Sequence, residues 1–338
     1  MNDDTAHPDS SSRPRVAIVA TGGTIAGAGA GGVAVAYRAA VAPVQQLMAA
    51  VPAVQALADL RAEQLLQIDS CDFTDGRLLQ LARRVAALCA QDDVDGVVVT
   101  HGTDTLEESA WLLHLTVPSR KPVVLTGAMR AATAPSADGP GNLLHAVAVA
   151  AHPSSAGRGA LIVMNGQIYS GRDAAKTYAA GLDAFTSPHG ALGLVADGAP
   201  RWYRALTRPH TIDSAFAIDR IDALPLAGIV AGHGNMRPEP YRAWAAAGAR
   251  AIVHAGFGNG TVPTPLVPVL RDLCQRGIRI VRASRAGGLV IRNAHFDDDA
   301  CGSVAAEDHT PQRARLLAAL ALTQTQDAGE MQAVFLRY

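Results

Sequence analysis

The sequence predicts a two-domain α/β fold, with a larger N-terminal domain built on a mostly parallel sheet flanked by helices and a smaller C-terminal α/β domain. The 338-residue length suits two domains that each bury their own core, and hydrophobic residues make up 49% of the chain. Unbroken apolar strands alternate with helical patterns, which is typical of a parallel sheet covered on both faces. Ligands of such sheets bind at the carboxyl ends of the strands.

The pattern divides the chain into four parts. Residues 1 to 14, rich in aspartate, serine and proline, are expected to form a disordered lead-in. Residues 15 to 211 are expected to form the larger N-terminal α/β domain. Residues 212 to 226 follow no regular pattern, so we expect a linker there. Residues 227 to 338 are expected to form the C-terminal α/β domain.

In the N-terminal domain, short apolar runs that stop at glycine or polar residues predict the strands. These runs are Arg15 to Ala20, Leu65 to Ile68, Asp95 to Thr100, Val123 to Leu125 and Leu161 to Met164. Helical patterns cover Pro43 to Ala58, Thr74 to Cys89 and about Thr105 to Leu115. Four glycines between Gly27 and Gly32 predict a mobile loop, because glycine runs do not hold one conformation.

The C-terminal domain repeats the alternation of strand and helix. Its predicted strands are Gly228 to Ala231, Ala251 to Val253 and Arg279 to Arg282. One helix is predicted near Pro240 to Ala247, a second ends at about Arg276, and a third runs from Pro311 to Leu322.

Composition excludes several classes of function. The formal net charge is −1 and the basic residues are scattered, which argues against binding nucleic acid. No apolar stretch reaches the roughly 18 residues that a membrane helix needs. The acidic, polar start lacks the features of a signal peptide, so we expect a cytoplasmic protein. The four cysteines are widely spaced without a CxxC or Cys/His cluster, so no metal or other cofactor is predicted.

Lysine is rare in this chain. Of 29 basic residues only Lys121 and Lys176 are lysines. Arginine is permanently charged, so a remaining lysine marks a place where an amine must be able to lose its proton. The alternative is a compositional bias of the lineage with two leftover lysines.

Three predicted strand ends carry hydroxyl groups. They are Thr21-Gly-Gly-Thr24, Asp69-Ser70 and His101-Gly-Thr103-Asp104. Glycine lets the backbone approach a ligand, and the start of a helix supplies N–H groups suited to an oxyanion. Taken alone, Thr103 is better explained as a plain N-cap, and the Thr24 loop is as well explained by a turn without function. Neither nucleotide-binding glycine motif is present.

Two segments resemble the signatures of bacterial type II L-asparaginases: VAIVATGGTIAG from Val16 to Gly27 and VVVTHGTDTLEESAWLL from Val97 to Leu113. GAMR, SADGPGNL, GRDAAKT and LALTQT match the same family further along, in order. The resemblance covers roughly residues 15 to 338. It implies an amidohydrolase that converts L-asparagine and water to L-aspartate and ammonia through an acyl-enzyme.

The resemblance also implies a role for each catalytic residue. Thr24 corresponds to the nucleophile and Tyr37, on the glycine-rich loop, to a lid tyrosine that orients or deprotonates it. Thr103, Asp104 and Lys176 correspond to a second catalytic group in which the lysine accepts a proton. Which threonine attacks first stays open.

Substrate contacts follow in the same way. Ser70 and Asp104 correspond to the ligands of the α-carboxylate and α-ammonium of asparagine. The N–H groups of Thr103 and Ala128 correspond to the oxyanion hole. The family forms homotetramers with sites at subunit interfaces, where the segment ending at Thr261 and the position of His295 complete the site of another subunit.

Three positions depart from the family pattern. Cys71 follows Ser70 where glutamine is usual, and His295 occupies the position of a glutamate that reaches the α-ammonium. We therefore expect weaker binding of asparagine and poor use of glutamine, unless Asp297 compensates or the alignment is shifted by one residue. Ser119 stands where secreted relatives have the disulfide partner of Cys89, which agrees with a reducing compartment.

Other functions stay open. A related amidohydrolase that prefers glutamine or D-asparagine is the first alternative, and a binding homologue without turnover is the second. A tRNA-linked amidotransferase subunit is disfavoured, because the chain lacks a basic face. His101, although beside Thr103, is interpreted as a packed, hydrogen-bonded residue and not as a general base.

Overall fold

The computed structural model describes residues 13–29 and 38–338, which fall into two compact units. The N-terminal unit comprises the described residues up to Phe73, Arg84–Ala110 and Ser119–Ala205. The C-terminal unit comprises Thr74–Arg83, Trp111–Pro118 and Leu206–Tyr338. Each unit contains its own β-sheet together with helices, which confirms the predicted α/β fold class. The domain boundaries at 211 and 227, and the disordered lead-in, stay predictions.

The N-terminal unit is built on a mostly parallel sheet. The strands in this part of the chain are β1 (Arg15–Gly22), β2 (Asp59–Ile68), β3 (Gly96–Thr100), β4 (Val123–Thr126), β5 (Ala160–Met164), β6 (Gln167–Ser170), β7 (Ala175–Lys176), β8 (Phe185–Thr186), β9 (Gly193–Ala196) and β10 (Ala199–Trp202). In the described residues the main sheet has the order β10-β9-β6-β5-β4-β3-β1-β2, and β7 pairs separately with β8. The five strands from β2 to β5 in this order pair parallel with one another. The pairs β5–β6, β6–β9 and β9–β10 are antiparallel.

The central strands are the most deeply buried part of this unit. Nearly every residue of β1, β3, β4 and β5 is buried. Burial on both faces of the sheet requires apolar side chains at every position, which is why these strands form unbroken apolar runs in the sequence. β2 begins at Asp59 and not at Leu65, where the sequence predicts its start. The first part of the strand is partly exposed and contains polar residues, so it does not form an apolar run.

Helices in the same part of the chain are α1 (Val44–Ala49), α2 (Val54–Leu57), α3 (Asp75–Cys89), α4 (Leu106–Thr116) and α5 (Gly139–Ala151). The predicted helices at α3 and α4 are confirmed. The single helix predicted from residue 43 to residue 58 is wrong, because it is divided at Pro52 into two short helices. Proline lacks the N–H that a helix interior needs, and its ring collides with the preceding turn.

The C-terminal unit contains a parallel sheet with the order β11-β12-β13-β14. Its strands are β11 (Ala227–Ala231), β12 (Ala251–Gly256), β13 (Arg279–Ser284) and β14 (Val304–Ala305). The helices that follow β10 are α6 (Glu239–Ala246), α7 (Val267–Gln275), α8 (Asp298–Cys301), α9 (Pro311–Ala321) and α10 (Ala328–Arg337). Within the two described ranges, no helix is long and apolar enough to cross a bilayer.

A fully buried ion pair lies inside the C-terminal unit. The Arg282 guanidinium donates to both carboxylate oxygens of Asp298, at 2.6 and 2.5 Å, and both side chains are 0% exposed. Burial acts to raise the pKa of the Asp298 carboxyl. Hydrogen bonds from Arg282, the Ser303 hydroxyl and the Asn293 N–H outweigh it and hold that pKa below its ordinary value. The pair therefore anchors α8, with Asn293 before it and Ser303 after it, to β13.

Replacing Asp298 with asparagine is expected to lower the free energy of unfolding by about 3–5 kcal/mol, because it leaves the Arg282 charge buried without a counter-charge. The native carboxyl has a lowered pKa, so its stabilisation is complete above the unfolded-state pKa and is lost as pH falls through the folded-state pKa. Urea unfolding at neutral pH tests the first effect. Asp272→Asn, which breaks an exposed pair with Arg276, is the control and should cost about 1 kcal/mol or less. Equal losses in the two variants would contradict the prediction.

Candidate active site

Four loops that follow neighbouring parallel strands bring predicted site residues to one edge of the N-terminal sheet. Thr24 follows β1, Ser70 follows β2, Thr103 follows β3 and Ala128 follows β4. Because the carboxyl ends of parallel strands lie at the same edge, these loops are neighbours in space although they are far apart in sequence. All four residues are buried.

Glycines allow three of these loops to interlock. Gly23 has a φ of 79°, and a Cβ atom there would lie 2.2 Å from the Cα of Gly102. A Cβ atom on Gly102 would in turn lie 2.6 Å from the Ser70 hydroxyl oxygen. A side chain at either glycine would drive the loops apart, so packing requires Gly23 in the first signature segment and Gly102 in the second.

Thr24 begins a turn of 3₁₀ helix directly after Gly23. The Gly23 N–H donates to the Ile68 carbonyl at 3.0 Å, and the Gly27 N–H donates to the Thr24 carbonyl at 2.8 Å. Thr24 is only 7% exposed. The backbone of the threonine is therefore held on both sides, and its hydroxyl lies in a nearly enclosed setting.

Lys176 joins two of the predicted catalytic residues. Its Nζ donates to the Thr103 hydroxyl at 2.9 Å and to the Asp104 carboxylate at 2.5 Å. The lysine side chain is 16% exposed, whereas that of Asp104 is 57% exposed. A hydroxyl, an amine and a carboxylate thus form one connected group, and the carboxylate stays accessible from solvent.

Ser70 is connected to the same group. Its hydroxyl accepts a hydrogen bond from the Asp104 N–H at 3.2 Å, and its carbonyl accepts one from the Thr105 hydroxyl at 2.8 Å. The neighbouring Cys71 is exposed. Desolvation, followed by the charges of nearby aspartates, raises the pKa of the Cys71 thiol. The thiol therefore stays protonated and is a poor nucleophile.

The loop of Ala128 is held by residues whose roles the sequence did not reveal. The N–H groups of the two residues after Ala128 donate to the two oxygens of the Asp138 carboxylate, at 2.9 Å each. The side-chain amide of Asn142 donates to the Gly127 carbonyl and to Asp138, at 3.0 Å each. Their spacing of four residues at the start of α5 was the available signal, because it places both side chains on one face of a helix.

The N–H groups of Thr103 and Ala128 are available as donors. Within residues 13–29 and 38–338, neither makes a hydrogen bond to another described residue. Each follows the carboxyl end of one of two adjacent strands, β3 and β4. Two backbone donors from neighbouring loops are suited to stabilise a negatively charged oxygen.

His101 is not available as a base. Its ring is fully buried, with one nitrogen 2.7 Å from the Gly102 carbonyl and the other 2.8 Å from the Ser109 hydroxyl. Burial lowers the pKa of His101 to about 4, so the ring is neutral at physiological pH. The interpretation of His101 as a packed, hydrogen-bonded residue is confirmed.

Two predicted substrate-binding residues lie in the C-terminal unit. The Thr261 carbonyl is 3.0 Å from the Nε2 atom of the buried His254. His295 is exposed and has a φ of 65°. The side chain of Asn259 donates to the Ala294 carbonyl at 3.0 Å, so the two loops that carry these residues are linked.

Tyr37 lies outside the described residues, and its predicted role stays a prediction. The residues on either side of the gap are paired, since Ala28 and Arg38 exchange two backbone hydrogen bonds of 3.0 and 2.9 Å. The described part of the chain contains no cluster of three or more His, Cys, Asp or Glu side chains that could hold a metal ion.

The chain thus has a two-unit α/β fold, and the site at the edge of its N-terminal sheet holds hydroxyl, amine and carboxylate groups that are suited to amide chemistry. The family profile for Asparaginase, N-terminal matches residues 15–208, and that for the Glutaminase/Asparaginase C-terminal domain matches residues 228–335. The chain therefore belongs to the asparaginase family, which confirms the resemblance found in the signature segments.

Individual relatives agree with this assignment. The chain is 50% identical to a glutaminase-asparaginase of Pseudomonas aeruginosa, over 96% of this chain and 90% of the relative. It is 41% identical to L-asparaginase 2 of Escherichia coli, over 96% and 93% respectively. The crystal structure of a probable cytoplasmic L-asparaginase from Campylobacter jejuni superimposes with a TM-score of 0.93 at 40% identity, covering 96% of this chain and all of the other.

Proposed function

We propose that this protein hydrolyses L-asparagine to L-aspartate and ammonia. The observation that carries the proposal is the group formed by Lys176, Thr103 and Asp104 at the sheet edge that also holds Thr24, in a chain of the asparaginase family. The test is ammonia release from L-asparagine, L-glutamine and D-asparagine. Release from none of the three would reject the proposal and favour a binding homologue without turnover.

The proposed reaction begins with attack of the Thr24 hydroxyl oxygen on the side-chain carbonyl carbon of asparagine. The N–H groups of Thr103 and Ala128 stabilise the negative charge that develops on the carbonyl oxygen. The C–N bond then breaks, the nitrogen takes up the hydroxyl proton and leaves as ammonia, and an ester remains on Thr24. Tyr37 is proposed to orient Thr24 in this step.

Water completes the proposed reaction by attacking the ester carbonyl. The proton of the water passes to the amine of Lys176, either directly or through the Thr103 hydroxyl that this amine contacts at 2.9 Å. The bond between the acyl group and Thr24 breaks, and the proton returns to the threonine oxygen. Lys176 serves this step because an amine, unlike a guanidinium, accepts a proton.

Asp104 and Ser70 are proposed to bind the backbone groups of the substrate. The Asp104 carboxylate is 57% exposed although it contacts Lys176, so an oxygen is accessible to the α-ammonium. The Ser70 hydroxyl lies beside the Asp104 N–H and is proposed to bind the α-carboxylate. These contacts orient the side-chain amide relative to Thr24.

A second candidate is an enzyme that uses asparagine and glutamine comparably. The higher identity to a glutaminase-asparaginase, 50% against 41% for L-asparaginase 2, favours it. Cys71 and His295 favour the opposite expectation, that glutamine is used poorly. The ratio of kcat/KM for L-asparagine and L-glutamine decides between the two.

Changing His295 to glutamate is expected to lower KM for L-asparagine roughly threefold to fivefold, the worth of about 1 kcal/mol from one added charge attraction to the α-ammonium. The kcat should change little, because this contact is equally present in the ground and transition states. Steady-state kinetics measure both. His233→Glu, which adds the same charge at another exposed histidine of the C-terminal unit, should leave KM unchanged. An unchanged KM in the His295 variant would reject the proposed position.

We also infer a homotetramer with sites at subunit interfaces, to which Thr261 and His295 contribute from a neighbouring subunit. This rests on the family resemblance. Sedimentation equilibrium would then give four times the 35.0 kDa mass of one chain.

We further propose a cytoplasmic location, since all four cysteines are free and Cys89 faces Ser119 in place of a thiol. Cell fractionation tests the location.

A further inference from the structure

Lys176 is held at both ends by one short segment of the chain. Its amine donates to Thr103 and Asp104, and its backbone N–H donates to the Glu107 carboxylate at 2.6 Å. Thr103, Asp104 and Glu107 all belong to the connection between β3 and the first turn of α4. The backbone N–H and the amine of Lys176 are therefore both bound to the segment that carries the Thr103 hydroxyl.

The setting of Glu107 suits a fixed anchor. The residue is only 8% exposed and lies in the first turn of α4, where the helix dipole favours a carboxylate. A hydrogen bond from a backbone N–H to a buried carboxylate is short and strong compared with one between neutral groups. Glu107 thus holds the backbone of Lys176 more firmly than a solvent-exposed contact would.

The sheet that carries Lys176 is small, and the Thr177 N–H beside it donates to the Ala184 carbonyl at 2.8 Å. The strand β7 is two residues long, and in the described residues its ladder partner is the equally short β8. The approach of this segment to α4 is close, since a Cβ atom on Gly171 would lie 2.9 Å from the Ala110 carbonyl oxygen. The segment therefore lies close to α4, and Glu107 accepts a hydrogen bond from the backbone N–H of Lys176 itself.

We propose that Glu107 is a positioning residue for Lys176, acting as the acceptor that keeps the lysine amine at Thr103 during catalysis. This inference rests on the proposed function. Without the tie, the β7 backbone drifts and the amine loses its alignment with the Thr103 hydroxyl. Misplacement of a catalytic group by about 1 Å costs roughly 100-fold in rate.

The test compares Glu107→Leu with Glu107→Gln in the purified full-length protein. The leucine variant is expected to lose about 10- to 100-fold in kcat with little change in KM, because Lys176 acts at the chemical steps. The glutamine variant keeps an acceptor oxygen and is expected to stay within about fivefold of wild type, since a neutral acceptor is weaker than a carboxylate. Equal losses in both variants would overturn the role as acceptor.

A double-mutant cycle separates positioning from a general effect on the fold. In a Lys176→Met background with measurable residual turnover, adding Glu107→Leu is expected to lower kcat by less than about twofold, because the group being positioned is already gone. A full additional loss would overturn the proposal. Glu108→Gln removes a neighbouring carboxylate from the same helix turn and is the matched control. If wild type releases no ammonia from any of the three substrates, the proposed function fails. If Lys176→Met keeps full activity, the proposed role of Lys176 fails, and this inference fails with it. If Lys176→Met loses activity but Glu107→Leu keeps it, this inference alone fails.

Discussion

Thr24→Val is expected to abolish ammonia release from L-asparagine, lowering kcat by a factor of about 10⁴ or more. Valine matches threonine in shape and replaces only the hydroxyl by a methyl group, so the nearly enclosed site should accept it. What is lost is the oxygen that forms the acyl-enzyme. Ammonia production in a coupled assay measures kcat, and thermal melting checks that the variant is folded.

Thr24→Ser is the matched control, because it keeps the hydroxyl and loses only a methyl group. It should retain readily measurable turnover. The competing assignment gives the first attack to Thr103, whose hydroxyl contacts Lys176 at 2.9 Å. Peptide mapping of the reaction quenched in acid would identify which threonine carries the ester. A folded Thr24→Val variant with wild-type kcat, or an ester found on Thr103, would contradict the assignment.

The parts of the fold that the sequence predicts well are those in which one physical requirement governs every residue. The central strands β1, β3, β4 and β5 are buried on both faces, so their apolar runs leave no alternative. The first half of β2 is not predicted from the sequence, because that half is partly exposed and rich in polar residues. α5 is not predicted either, because it begins with Gly139-Pro140-Gly141 and two glycines in its first turn disfavour a helix. Its apolar second half and its packing outweigh this.

The candidate site divides in a similar way. The hydroxyls at strand ends could be predicted, because a parallel sheet brings those ends together at one edge. The contact between Lys176 and Thr103 joins residues 73 positions apart, and no local pattern encodes it. The scarcity of lysine identified Lys176 as unusual, but its partner came only from the family resemblance. The tie from Glu107 to a backbone N–H was not predictable, because it depends on where β7 passes α4.

Lys176→Arg is expected to lower kcat by roughly 10²- to 10⁴-fold, the usual contribution of a general acid or base. Arginine keeps the positive charge, so pairing with Asp104 should persist and KM should change little. A guanidinium cannot give up its proton at any pH at which the protein is folded, so it cannot serve as the base in ester hydrolysis. Steady-state kinetics on L-asparagine distinguish a loss in kcat from a loss in affinity.

Lys121→Arg provides a matched control within the same chain. Its amine donates to the Gln91 carbonyl at 2.6 Å, a contact that requires only a donor and that arginine can supply. We expect wild-type kcat from this variant. If Lys176→Arg also keeps wild-type kcat, the titratable amine has no role and both lysines are leftovers of an arginine-rich composition. A large loss at Lys176 beside none at Lys121 would instead mean that this chain keeps one of its two lysines for proton transfer.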